Sequence, residues 1–132
     1  MQNTAAGNAP WAHRFLGIMR IVVGLVILQY GLAKLFGWPH GTAFDSLHAF
    51  QLAWFAGIFE FVGGTFFTLG LFTRCVAFVM SGEMAFAYFL RHAPRSFFPI
   101  INGGGLAILF CFIFFYFFLV GSGAYSIDEV RR

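Results

Sequence analysis

Four apolar stretches, at 15–36, 52–71, 75–90 and 100–120, alternate with short polar connectors along the chain. At about 1.5 Å per residue each covers roughly 24–33 Å as a helix, close to a hydrocarbon core of about 30 Å. The pattern predicts an all-α fold, an integral membrane bundle of four transmembrane helices, built as one domain over 1–132. The connectors are a polar loop at 37–51, a tight turn at Phe72, Thr73 and Arg74, and a basic loop at 91–99. Phe44, Leu47 and Phe50, spaced by three, suggest a short interfacial helix inside the first loop.

Within the spans, small and polar residues recur at helical spacing. Gly17, Arg20, Gly24, Ile27, Gly31 and Lys34 step by three and four along one face of the first span. Gly57, Glu60, Gly64 and Thr68 do the same in the second. Met80, Glu83, Met84 and Ala87 cluster in the third, and Gly104, Ala107 and Cys111 in the fourth. Small residues let membrane helices approach closely, so these stripes are expected to face inward, leaving Phe, Leu, Ile and Val for lipid. The run Asn102-Gly103-Gly104-Gly105 weakens the start of the fourth span, since each glycine costs roughly 1 kcal/mol relative to alanine in a helix. Loosened backbone at membrane depth must be covered by protein or line a cavity. Close helix packing against glycine would explain it equally.

Composition strengthens the membrane reading. Hydrophobic residues make up 60% of the 132, charged residues 10%, and 21 are phenylalanine. A soluble domain would carry far more charge on its surface. Residues 1–10 lack the basic start and cleavage site of a signal peptide, so the first span reads as a retained anchor. The net charge of +3 comes from cations scattered singly near helix ends, where they reach headgroups, and not from a nucleic-acid patch. With both termini on the cytoplasmic side, five basic residues (Arg14, Arg20, Arg74, Arg131, Arg132) lie inside against three (Lys34, Arg91, Arg95) outside, which favours that orientation in a bacterial inner membrane. Trp11, Trp38 and Trp54 sit near span boundaries, as interfacial anchors do. Cys75 and Cys111 lie in different surroundings and are expected to stay free.

The candidate chemistry lies in the ionisable residues inside the spans. A carboxylate at the bilayer centre costs about 2.5–3.5 kcal/mol on insertion scales, so Glu60 and Glu83 need a partner, a proton or a wet cavity. Helical rise places Arg20 at a depth similar to Glu83, and Lys34 and Gln29 at a depth similar to Glu60. Two ion pairs are therefore expected, Arg20–Glu83 and Lys34–Glu60. They either fix helix register or form a proton-linked site. Gln29, Lys34, Glu60 and Asn102, with the glycine run, are expected to border one cavity. His40, His48 and His92 share one side but lack metal-site spacing, so no metal is expected. The sequence carries no Cys-x-x-Cys, dinucleotide fingerprint or phosphate loop.

Arg20, the segment Tyr30-Gly31…Lys34-Leu35-Phe36-Gly37-Trp38, Glu60…Gly63-Gly64, Gly70-Leu71-x-Thr73-Arg74, Asn102-Gly103-Gly104 and Gly121-x-Gly123…Ser126-Ile127-Asp128 occur in order over 14–128. Together they resemble the DoxX family, four-helix bacterial membrane proteins named for the small subunit of a thiosulfate:quinone oxidoreductase. The chain departs from the family pattern twice. Gly105 stands where members commonly carry a glutamate, and Tyr30 where a histidine is frequent.

The resemblance implies a redox setting with quinone as the non-covalent ligand. The expectation is an accessory membrane protein, a small subunit of an oxidoreductase or quinone-linked electron-transfer system that is not catalytic alone. The alternative is a structural subunit packing on a larger membrane complex through its phenylalanine face. The expected partners are the bilayer, other membrane subunits, and quinone or lipid.

Overall fold

The computed structural model describes residues 10–45, 47, 49 and 51–131. All of its regular structure is helical. Helix α1 runs Pro10–Phe36, α2 Leu52–Leu69, α3 Thr73–Ala87, α4 Pro99–Asn102, α5 Gly105–Val120 and α6 Ile127–Val130. A π turn, Tyr88–His92, continues α3. Helices α1 and α2 are each long and apolar enough to cross a membrane. The expected helix of Phe44, Leu47 and Phe50 falls partly outside the described residues, as does His48. The stretch at 43–45 is a turn.

Helix α1 pairs chiefly with α2, and α3 with α5, while α2 and α3 join the two pairs. The glycine stripe explains the first pair. Gly24 abuts Thr68, Gly31 abuts the backbone of Glu60 and Phe61, and Gly64 abuts the backbone of Leu28, so a Cβ at any of them would collide with the facing helix. Gly17, Arg20, Gly24, Ile27 and Gly31 are all buried, as the spacing predicts.

The second pair packs differently from expectation. On α5 the buried residues are Phe110, Phe114 and Phe117, whereas Ala107 and Cys111 are only half-buried. Phe67 of α2 meets Phe114 and Phe117 edge-on, each at 5.0 Å between ring centroids. With Met80 and Met84 of α3 they fill the space that three converging helices leave open. Rings are large enough to do so and edge-on contacts suit their quadrupoles, so three phenylalanines assigned to lipid are core residues. A hydroxyl adds a polar tie, with Ser81 Oγ donating to the Cys111 carbonyl at 2.8 Å. Cys75 and Cys111 are both free thiols.

The expected fourth span is interrupted. Gly103 takes φ +73°, a left-handed conformation that ends α4, and α5 starts two residues later. Gly70 ends α2 in the same way at φ +71°. Beyond α5, residues 121–131 fold back against the start of α1 and the α2–α3 turn. Ala124 N donates to the His13 carbonyl at 3.1 Å, and Asp128 N to the Gly70 carbonyl at 2.9 Å.

Candidate functional site

The polar groups fall into two sites at opposite ends of the bundle. The first surrounds Arg20, which is fully buried. Its expected pair with Glu83 does not form. Arg20 Nη1 donates to the Ser122 carbonyl and, at 2.9 Å, to the Ala124 carbonyl. Nη2 donates to the Tyr125 carbonyl at 2.7 Å and to Thr68 O at 3.5 Å. The reason is the fold-back of the last residues, which presents several unpaired carbonyls to the guanidinium where Glu83 cannot reach. Rise alone places Glu83 about 15 Å along α3 from its first residue, well away from the terminal segment. Asp128 completes this clasp by accepting from Phe72 N and Thr73 N, both at 2.8 Å, and so holds the start of α3. Ser126 caps α6 by accepting from Glu129 N at 3.0 Å, as its sequence suggests, and Glu129 pairs with His13 at 2.8 Å.

The second site is a cavity of about 630 Å³ among α1, α2, α3 and the turn carrying Phe44. Lys34 Nζ donates to Glu60 Oε1 at 2.8 Å, the pair expected from the similar depth of the two residues. Lys34 lines the cavity and Glu60 lies behind it, 3% exposed. The ammonium also stands 5.0 Å from the centre of the Phe44 ring. Asp45 secures that turn by accepting from Gly41 N at 2.7 Å and Thr42 N at 3.3 Å. Glu83 faces the same cavity from α3, within electrostatic reach of Glu60 and Lys34. One cation thus serves two carboxylates, and an oxygen of each, Oε2 of Glu60 and of Glu83, is buried without a hydrogen bond. Besides three further basic side chains, the remaining wall is mainly apolar and includes Phe55, Phe59, Val79, Phe86 and Leu90.

The other expected members do not join this cavity. Gln29 is exposed on the far side of α1. Asn102 is fully buried, and its side chain holds a loop together instead. Its Nδ2 donates to the Ser96 carbonyl at 3.0 Å and the Tyr88 hydroxyl at 3.3 Å, while Oδ1 accepts from Gly104 N at 2.7 Å. The Asn102 carbonyl bonds His92 Nδ1 at 3.0 Å. Gly104 packs against Tyr88 and His92, which leaves no room for a side chain. Close packing, the alternative that the sequence leaves open, thus accounts for Gly104, while Gly103 ends α4 and a Cβ at Gly105 would meet nothing within 4 Å. Arg91, His92 and Arg95 also line the cavity, although sequence reasoning placed them only in a loop. For the two arginines a signal was present: 79, 83, 87, 91 and 95 are spaced by four.

A family model, DoxX, matches residues 15–93, which takes in α1 to α3 and both ionisable cavity walls. A Haemophilus influenzae protein, described only as uncharacterized, is 42% identical over 119 residues, covering 87% of this chain and 89% of that protein. No solved structure is matched.

Proposed function

This chain belongs to the DoxX family, and from that premise we propose that it is an accessory membrane protein whose cavity holds a quinone for an oxidoreductase or electron-transfer system. In this reading α1, α2, α3 with its π turn, and α5 form four spans in a bacterial inner membrane with both termini cytoplasmic. The protein works as a small subunit beside larger membrane proteins and is not an enzyme alone.

The observation that carries the reading is the Lys34, Glu60 and Glu83 group set against the apolar groove of Phe55, Phe59, Val79 and Phe86. A buried ion pair is weak evidence for stability, because desolvation offsets its attraction. An ionisable group at membrane depth is by default a functional one. Lys34 retains donors beyond the one bonded to Glu60, so it can also donate to a ring carbonyl. Glu83, with an unsatisfied oxygen, can accept a proton from a ring hydroxyl. Loss of the ring-hydroxyl protons accompanies oxidation of the hydroquinone, whose two electrons would pass to a partner subunit.

The test is to purify the protein in native lipid discs and quantify quinone against bulk membrane. Enrichment in wild type, lost in Glu83→Gln and in the fold-preserving Lys34→Met/Glu60→Leu pair, is expected. Equal quinone in every sample would overturn the reading.

The second reading, a purely structural subunit, draws on exposed rings of α3 and α5. Phe78, Phe86 and Phe112 are 56%, 64% and 71% exposed, more than core packing needs. Stoichiometric co-purification of one larger membrane protein with a quinone-free chain would favour it.

A further inference from the structure

We propose that the cavity has a second subsite, at Arg91 and Arg95, for the phosphate headgroup of a lipid whose apolar chain enters the Phe55, Phe59 and Phe86 groove. The proposal rests on the reading that this cavity holds a ligand, but not on that ligand's being a quinone. Four basic side chains, Lys34, Arg91, His92 and Arg95, line the cavity against one acidic side chain, Glu83. Lys34 is ion-paired with Glu60, and His92 is bonded to the Asn102 carbonyl. Arg91 and Arg95 form no ion pair among the described residues. Two guanidinium groups free for an anion therefore stand where an apolar groove opens, and guanidinium geometry suits phosphate.

Their placement requires a specific backbone device. In an α-helix each step of four overshoots a 3.6-residue turn by about 40°, so residues at 79, 83, 87, 91 and 95 drift progressively off one face. Between Val79 and Arg95 that drift would be about 160°. The π turn at Tyr88–His92, closed by Ala93 N donating to the Tyr88 carbonyl at 2.9 Å, winds less per residue and counters it. A further turn, Arg95 N to the His92 carbonyl at 3.0 Å, keeps Arg95 at the same opening. Asn102, bonded to Ser96 O and carrying His92 on its carbonyl, fixes this segment in place. Cations merely extending to bulk headgroups at a helix end need neither the π turn nor the buried asparagine. The cavity volume lies within the roughly 300–1,000 Å³ usual for small-molecule sites, which admits one headgroup and part of one chain.

The experiment measures displacement of a fluorescent single-chain phosphate lipid from the full chain in phosphate-free digalactosyl diacylglycerol discs. The competitors are dodecyl phosphate, dodecanol, inorganic phosphate and a short-chain quinone. Dodecyl phosphate should compete at least about tenfold better than dodecanol, and inorganic phosphate should fail in the same range. In Arg91→Gln/Arg95→Gln the preference should shrink to within about twofold, with quinone competition unchanged. Equal competition by dodecanol, a preference surviving in the double variant, or full displacement by inorganic phosphate would each overturn the proposal. Quinone displacement without any phosphate preference would remove this subsite alone. If no competitor with a chain displaces the probe, the cavity itself is not a ligand site. Arg91→Lys/Arg95→Lys, which keeps both charges, should restore part of the preference, and this separates anion binding from a folding defect.

Discussion

At the scale of single residues, the two buried cations show two ways of keeping a charge out of water. Lys34 meets a carboxylate, whereas Arg20 meets several backbone carbonyls. Removing one member of a buried pair typically costs about 3–5 kcal/mol, while replacing both by apolar residues is often neutral. Glu60→Gln alone should therefore lower thermal stability in detergent, and Lys34→Met/Glu60→Leu should recover most of it. Equal losses in the single and double variants would show that the pair is not coupled. Asp128, outside the spans, supplies a pH dependence. Partial burial pushes its carboxyl up, but the hydrogen bonds from Thr73 and Phe72 and the charge of Arg131 outweigh this and hold it below the ordinary 3.8. A depressed carboxylate stabilises fully above its unfolded value and loses that contribution as the pH falls through the folded one. Melting temperature measured from about pH 6 to pH 3 should thus fall more steeply in wild type than in Asp128→Asn, which is already lower at pH 6. The Lys34–Glu60 pair was legible in the sequence because both residues lie on glycine stripes of adjacent helices. The partners of Arg20 were not, because carbonyl acceptors carry no residue signature and belong to a segment 102 residues away.

At the scale of elements, glycine stripes marked the α1–α2 contact faithfully, since close approach demands a residue without a side chain. Aromatic residues misled on α5. A phenylalanine suits lipid and core alike, and only the neighbouring helices decide which it meets. The contrast gives a test. Gly24→Ala should lower the melting temperature clearly, because its Cβ would meet Thr68, whereas Gly82→Ala meets nothing within 4 Å and should keep or slightly raise it, alanine being the better helix former. A tolerated Gly24→Ala would mean that the two helices are less closely packed than described. The π turn was invisible as such, although the spacing of four from Val79 to Arg95 carried its trace. A strict 3.6-residue reading scatters those residues around the helix, and one wide turn regathers them.

At the scale of the whole molecule, the all-helical architecture followed from hydropathy, but the division of labour between its two ends did not. One end holds the cavity with its ionisable wall. The other holds the clasp formed by Arg20, residues 121–126 and Asp128. The proposed topology places the cavity's Arg95 outside the cytoplasm. Single cysteines introduced into a chain lacking Cys75 and Cys111 should show position 95 labelled only from the periplasmic side and position 131 only from the cytoplasmic side. Reversed labelling would invert the orientation and leave the fold intact. The clasp also imposes an order on biosynthesis. Helix α1 is made before α5, yet its guanidinium waits for carbonyls that follow it by more than a hundred residues. Until then the nascent chain carries an uncompensated cation in α1, which is costly to place in hydrocarbon. A truncation before Gly121 would remove those carbonyls and strand that charge, so the burial of a cation in α1 depends on a segment made after α5.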